Sequence, residues 1–312
     1  MRSFLEIPAK STIAVVCNDA GAGNLIFSWL PLFKNNELRI GVTGPSIAIA
    51  KKSGFNTDKR KLKNILSGAS LLLSGTSRFS GLEHQARKQA KNAGIKTVGV
   101  IDHWVNYENR FASGGETILP DEIWVVDQSA AKLCRNAFPY TPVQVKPNLY
   151  LDGLVKEILD KSLQHLDNQK IRILYLLEPI RDNWVNGPEL GEIQALKYFL
   201  TKLEGVKISK SIEILLRPHP SEIRKKYECF LSLGSKNAIS ISSGKSLSDD
   251  IAWSSIVVGC ETYGLIVAAN AQRPVFCSLP PEAPKSRLRL NHLRYIRDFD
   301  EQSISELFGD LL

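Results

Sequence analysis

The residue types that handle phosphate, protons and sugar hydroxyls gather in a few short stretches of the chain. One is Arg217-Pro-His-Pro220. Pro218 and Pro220 fix their own φ and push Arg217 and His219 towards extended backbone, so the imidazole is presented from a stiff segment. An imidazole beside a guanidinium suits an anion, and the guanidinium can take two phosphate oxygens at once. The plainer reading of His219 is a hydrogen bond to backbone that stiffens the turn. A second stretch is Gly259-Cys-Glu-Thr-Tyr-Gly264. Its small residues lead into a helix, where Thr262 and the N–H groups of 261–264 offer an anion seat. Glu261 can accept from ribose or sugar hydroxyls, or serve as a first-turn carboxylate favoured by the helix dipole.

A third stretch, Asn18-Asp-Ala-Gly-Ala-Gly-Asn24, has small residues that let a ligand approach the backbone, notably around Gly21 and Asn24. Asp19 is there as a general base or as a cap for the following helix. It lacks the G-x-G-x-x-G spacing of a dinucleotide fingerprint. The fourth is Asp102-His-Trp-Val-Asn-Tyr-Glu-Asn-Arg-Phe111, the densest polar-aromatic run in the chain. Asp102 is a second candidate base and Glu108 a third. Arg110 can hold a carboxylate or phosphate, or pair with Glu108 or Glu116. Trp104 and Tyr107 can stack on a sugar ring or pack in a core. His103 neighbours Asp102, but adjacent residues on extended backbone point opposite ways, which disfavours a His–Asp dyad. No His-Glu-x-x-His and no Gly-x-Ser-x-Gly elbow occur, so neither a metal site nor a serine hydrolase is expected.

These stretches need strands and helices to position them, and the pattern supplies both. Apolar runs at 11–17, 38–43, 69–74, 96–101, 121–127 and 142–145 read as strands, with helices at 25–33, 58–66, 82–93 and 130–137 between them. Asp58 is placed to cap the second helix. Lys146–Gly153 reads as a boundary. The rhythm restarts with strands at 171–177, 212–216, 238–242, 254–258 and 274–278, and helices at 154–168, 189–203 and 265–271. Ser221 reads as the cap of a helix starting near Glu222, and Asp249-Asp250 as a helix start. The expected architecture is α/β: two Rossmann-like parallel-sheet domains, 1–148 and 149–312, facing a cleft. The charged tail from Pro280 is expected to be helical and to pack back across the first domain. The candidate loops 18–24, 75–77, 102–111, 178–187, 217–221 and 259–264 all fall at carboxyl ends of strands, where open α/β sheets bind ligands.

Composition sets outer limits. The 312 residues are 43% hydrophobic and 23% charged, an ordinary globular profile. The net charge is +8, but the basic residues are scattered and no nucleic-acid fold signature accompanies them. Phosphorylated ligands, anionic lipid and nucleic acid all suit such a charge, but a plain solvated basic face accounts for it better than nucleic-acid binding, and weak attraction to an acidic membrane surface stays open. The five cysteines form no Cys-x-x-Cys pair, which fits a reducing cytoplasm. No apolar run approaches membrane-spanning length, and the opening residues lack the apolar core of a secretion leader.

Arg217-Pro-His-Pro220, together with Ser254–Gly264 leading to Ala268-Ala-Asn-Ala-Gln-Arg-Pro-Val275, resembles the GT-B-fold glycosyltransferases that carry a His-Pro motif. These include bacterial sialyltransferases, Kdo transferases and, more distantly, the CDP-glycerol polymerases of teichoic acid synthesis. The resemblance is motif-specific over the last third of the second domain. It implies that His219 contacts the donor nucleotide's phosphate, and that Thr262 or Ser255 does so from the turn. It implies a carboxylate base in the first domain. The family's acidic pair followed by glycine has its nearest match in Asn18-Asp-Ala-Gly21, an imperfect one that points to Asp19. The implied activity is metal-independent transfer of a sugar from a nucleotide-sugar donor to a surface-polysaccharide or lipid-linked acceptor, with a CMP-sugar as the favoured donor and no further cofactor. The expected place is the cytoplasm, including the inner face of the membrane. A UDP-sugar 2-epimerase and a non-catalytic nucleotide-binding subunit of a polysaccharide assembly complex are the alternatives.

Overall fold

The computed structural model describes residues 10–57, 61–77, 80–162, 170–185, 188–207, 209–232, 237–288, 290–291 and 293–310. The chain divides into two compact units, Met1–Tyr150 and Leu151–Leu312.

The first unit runs β1 (Thr12–Cys17), α1 (Ala20–Trp29), β2 (Glu37–Val42), α2 (Ser46–Lys52), α3 (Leu62–Leu66), β3 (Leu71–Ser74), α4 (Leu82–Asn92), β4 (Lys96–Val100), β5 (Ala112–Ser113), β6 (Glu116–Thr117), β7 (Glu122–Val125), α5 (Gln128–Ala137) and β8 (Val143–Val145). Its sheet has the order β2-β1-β3-β4-β7-β8, parallel throughout. A strand covered on both faces must be apolar on both, and β1 is. Ile13, Val15 and Cys17 pack with Leu25, Ile26 and Phe27 of α1, whereas Ala14 and Val16 pack with Ile65, Leu66 and the α4 alanines 86 and 90.

The second unit runs α6 (Leu149–Ser162), β9 (Lys170–Leu176), α7 (Gly191–Glu204), β10 (Ser211–Arg217), β11 (Ala238–Ile241), α8 (Leu247–Trp253), β12 (Ile256–Gly259), α9 (Tyr263–Asn270), β13 (Val275–Cys277), β14 (Arg294–Tyr295) and α10 (Glu301–Asp310). Its sheet is again parallel, in the order β11-β10-β9-β12-β13-β14. Ile171, Ile173 and Tyr175 of β9 and Ile212, Ile214 and Leu216 of β10 pack under Leu196, Phe199 and Leu203 of α7.

Each sheet reverses its direction of growth once. In the first, the chain passes from β1 outward to β2, then returns to lay β3 on the other side of β1. In the second, β10 and β11 extend one way from β9, and β12 then pairs with the other side of β9. Such switch points leave a crevice at the carboxyl ends of the two strands, the usual ligand position in this architecture.

Several local expectations change. The helix expected from Leu25 begins at Ala20, so Gly21 and Asn24 are helical residues rather than loop residues. The helix expected from Leu154 starts at Leu149, so the division between the units, at Tyr150–Leu151 within the expected 146–153, falls inside α6. The helix expected from Glu222 is a 3-10 helix over Arg224–Ser232, and Ser221 does not cap it. The tail belongs to the second unit's own core, because Ile304 and Phe308 are buried there and Phe308 meets Phe276 ring to ring at 5.3 Å. The Asp58 cap and the expected helical residues 163–168 lie outside the described residues. Among the described residues no helix is long and apolar enough to cross a membrane.

Candidate functional site

The first unit gathers carboxylates at its switch point. Asp19 caps α1: its Oδ1 accepts from the Ala22 N–H at 2.9 Å. Asp102 follows β4 and lies against the start of the same helix. A Cβ built on Gly21 would stand 1.6 Å from Asp102 Oδ2, so only glycine leaves room for that carboxylate. Asp102 Oδ1 accepts from Arg110 Nη1 at 2.8 Å, and the same nitrogen donates to Thr76 Oγ1 at 3.2 Å. Arg110 therefore pairs with Asp102 rather than with Glu108, which is exposed, or Glu116, which pairs with Lys88. Burial and the nearby Asp102 charge raise the Asp19 carboxyl to about 6. A carboxyl poised there can take a proton and give it back near neutral pH.

Glu83 completes this cluster and went unnoticed in the sequence. It is 1% exposed, and its Oε1 accepts from the Asn18 N–H at 2.8 Å. Asn18 in turn reaches Ser77 Oγ at 3.3 Å and accepts from Thr43 Oγ1 at 2.8 Å, so the loop after β1 is held on three sides. Burial pushes Glu83 up to about 7. Asn24 is half-buried one turn further along α1. The aromatic residues are structural. Trp104 Nε1 donates to Asp127 Oδ2 at 2.8 Å, and Tyr107 is buried with its hydroxyl on the Ala130 carbonyl at 3.3 Å.

In the second unit Arg217 and His219 part company. Arg217 Nη1 donates to the Lys245 carbonyl at 2.9 Å and is ion-paired with Asp250, which is 1% exposed. Ser242 Oγ also donates to Asp250, at 2.7 Å. Arg217 thus fastens the end of β10 to α8. His219 is exposed at the carboxyl end of β10. Its Nδ1 accepts from the Ser221 N–H at 3.2 Å and lies 2.7 Å from Ser221 Oγ. A backbone N–H can only donate, so Nδ1 is the acceptor and the neutral ring carries its proton on Nε2. The outcome is an Nε2–H donor on an exposed ring that Ser221 holds in place. Partial burial lowers the imidazole below its ordinary range, with Glu222 opposing.

The turn after β12 forms the other part. Thr262 caps α9, accepting from the Gly264 N–H at 3.3 Å. The N–H groups of Cys260 and Glu261 are already engaged: both donate to Glu178 Oε1, from the loop after β9. Glu178 thus adds a site residue from the loop 178–187, which the sequence placed at the ligand edge without singling out this carboxylate. Burial, with Glu261 beside it, raises it to about 7. Glu261 accepts from the Arg287 N–H at 2.7 Å, and from Arg287 Nε at 3.0 Å and Nη2 at 2.6 Å. Ser255 leaves the candidate set. It precedes β12, at the amino end, and exchanges hydrogen bonds with the Arg172 backbone, far along the strand from the turn.

No protein-family model matches the chain, and no curated protein matches it in sequence. Solved structures do match in fold. The UDP-GlcNAc 2-epimerase from Neisseria meningitidis, bound to UDP-GlcNAc, superposes with a TM-score of 0.57 at 14% identity, over 85% of this chain and 82% of that one. HepE of Anabaena, in complex with UDP and glucose, gives 0.56 at 10% identity, over 95% and 89%. MurG of Acinetobacter baumannii gives 0.52 at 9% identity, over 96% and 90%. At such identities the likeness is one of fold. Two parallel six-stranded sheets with their helices give this chain a GT-B-type fold, the architecture it shares with MurG.

Proposed function

We propose that this chain is a glycosyltransferase that moves a sugar from a nucleotide-sugar donor to a surface-polysaccharide or lipid-linked acceptor. One observation carries the reading: the imidazole at 219, exposed at the carboxyl end of β10, is held by Ser221 through Nδ1, which leaves Nε2–H as the ring's donor. Such a donor stabilises the charge that develops on a departing phosphate. Thr262 and the α9 N-terminus supply further donors from the turn after β12, on the other side of β9 in the same sheet. The sequence leaned to a CMP-sugar. Fold neighbours solved with UDP or UDP-GlcNAc move our proposed donor to a UDP-sugar. Asp19 is the group we assign to accept the acceptor's proton, with Asp102 and Arg110 setting its environment. The finer likeness to sialyl- and Kdo-transferases, and any work at an acidic membrane, remain part of this proposal.

Epimerisation is the second reading. It is favoured by the fold neighbour that is a UDP-GlcNAc 2-epimerase and by the carboxyl cluster of the first unit. The deciding experiment incubates the protein with UDP-GlcNAc, first alone and then with glycan acceptors. Acceptor-dependent release of UDP with a lengthened glycan supports transfer. Formation of the 2-epimer without acceptor replaces it with epimerisation. Nucleotide binding without turnover across a broad donor panel leaves only a binding subunit.

A further inference from the structure

The seat assigned above to a donor phosphate already holds an anion. Glu178 lies at the switch point of the second sheet, one residue beyond the β9 end, and β12 is the neighbouring strand. Its Oε1 takes the N–H groups of both Cys260 and Glu261, two of the donors that an incoming phosphate would use. Further along the turn, the Gly264 N–H is taken by Thr262 Oγ1. A phosphate and an ionised carboxylate cannot share those groups, because like charges at hydrogen-bond range repel strongly in a partly buried site.

The charges facing Glu178 do not relieve this. Glu261, from the turn, adds a second carboxylate, and Asp182, on Glu178's own loop, acts on Arg287. Arg287 is the cation that acts on Glu178, and it is committed to Glu261 through three N–H groups. Beneath lie Tyr175 of β9, Cys260, and Cys277 of β13, all neutral at physiological pH, since burial raises each of them further.

We infer that Glu178 is the built-in competitor of the donor phosphate: the nucleotide engages the N–H groups of Cys260 and Glu261 only when this side chain gives them up by becoming neutral in place, so binding takes up a proton at Glu178. The inference rests on the phosphate site proposed above and adds how that site is controlled. It is consistent with burial having raised Glu178 to about 7, which makes the proton available near neutral pH.

The test uses the full chain and UDP as the probe. Calorimetric titrations at pH 6 and pH 8, each in two buffers of different ionisation enthalpy, give both affinity and proton uptake. Linkage with a group titrating near 7 predicts that Glu178→Gln, which copies the protonated side chain, binds UDP about tenfold tighter than wild type at pH 8 and about equally at pH 6. Wild type should take up close to one more proton than the variant at pH 8. The wild-type proton count stands by itself if the variant fails to fold. An affinity ratio that is the same at both pH values, or no net uptake at pH 8, overturns the inference while leaving the site intact. Absence of UDP binding by wild type at both pH values removes the phosphate site itself, and the inference with it.

Discussion

Arg217 and His219 are two residues apart, yet they do opposite things. The alternation along β10 is buried at Ile212, Ile214 and Leu216 and half-open at Glu213, Leu215 and Arg217, so Arg217 runs sideways to Asp250 and ends in an ion pair. The prolines then turn the chain, and His219 faces out. The two alanine variants should therefore separate. His219→Ala removes a donor from an exposed ring, so the melting temperature should hold while turnover falls by about a hundredfold, the usual cost of losing one charge-stabilising donor. Full activity in that variant removes His219 from the mechanism. Arg217→Ala leaves Asp250 buried and unpaired, and should cost about 3 kcal/mol in denaturant unfolding, the lower end for a broken buried pair because Arg217 is itself partly exposed. The motif was legible as residue types. Which of its two basic side chains turns inward was not, because that depends on where Asp250 of α8 comes to lie.

Elements explain what the sequence hid. Long alternations and apolar runs marked the strands of both sheets, and the helices 82–93 and 189–203 fell within two residues of α4 and α7. The seven-residue α2 is too short to display a helical period, and the two-residue strands β5, β6 and β14 leave no pattern at all. Glu83 was masked by its own spacing: Ser80-x-x-Glu83 is that of a capping box, yet the carboxylate crosses to Asn18. Glu178 serves N–H groups 82 and 83 residues away, a pairing no local pattern announces. Contact between elements also predicts. Gly21 lets α1 approach Asp102, and a methyl group there would collide with Oδ2. Gly21→Ala should push Asp102 off Arg110 and cost about 1–3 kcal/mol, the range for overpacking. Urea unfolding measures it, and an unchanged midpoint would show that Asp102 yields without loss.

At the scale of the molecule the two units repeat one device. Each parallel sheet has a switch point, and at each a carboxylate from elsewhere in the unit accepts backbone N–H groups of the loop: Glu83 at Asn18, Glu178 at Cys260 and Glu261. Both sit near 7, and Asp19 near 6, all raised chiefly by burial. An acid whose folded value exceeds its unfolded one binds protons more tightly in the native state. Its stabilising contribution is therefore full below the unfolded value, near 4, and is lost as pH rises through 6 to 7. Stability should accordingly decline between about pH 5 and pH 8, over a window where most exposed carboxylates have finished titrating. Glu83 is the cleanest place to look, being nearly inaccessible and faced by Asp19, Cys17 and the buried Arg87, whose own value burial lowers to about 10. Glu83→Gln keeps an acceptor for the Asn18 N–H without the charge. Relative to wild type it should gain at most about 2–3 kcal/mol on going from pH 5 to pH 8. Denaturant unfolding at the two pH values measures this directly. A variant equally offset at both would mean that Glu83 is ionised throughout, held so by Arg87, and that the pH response of the fold originates elsewhere.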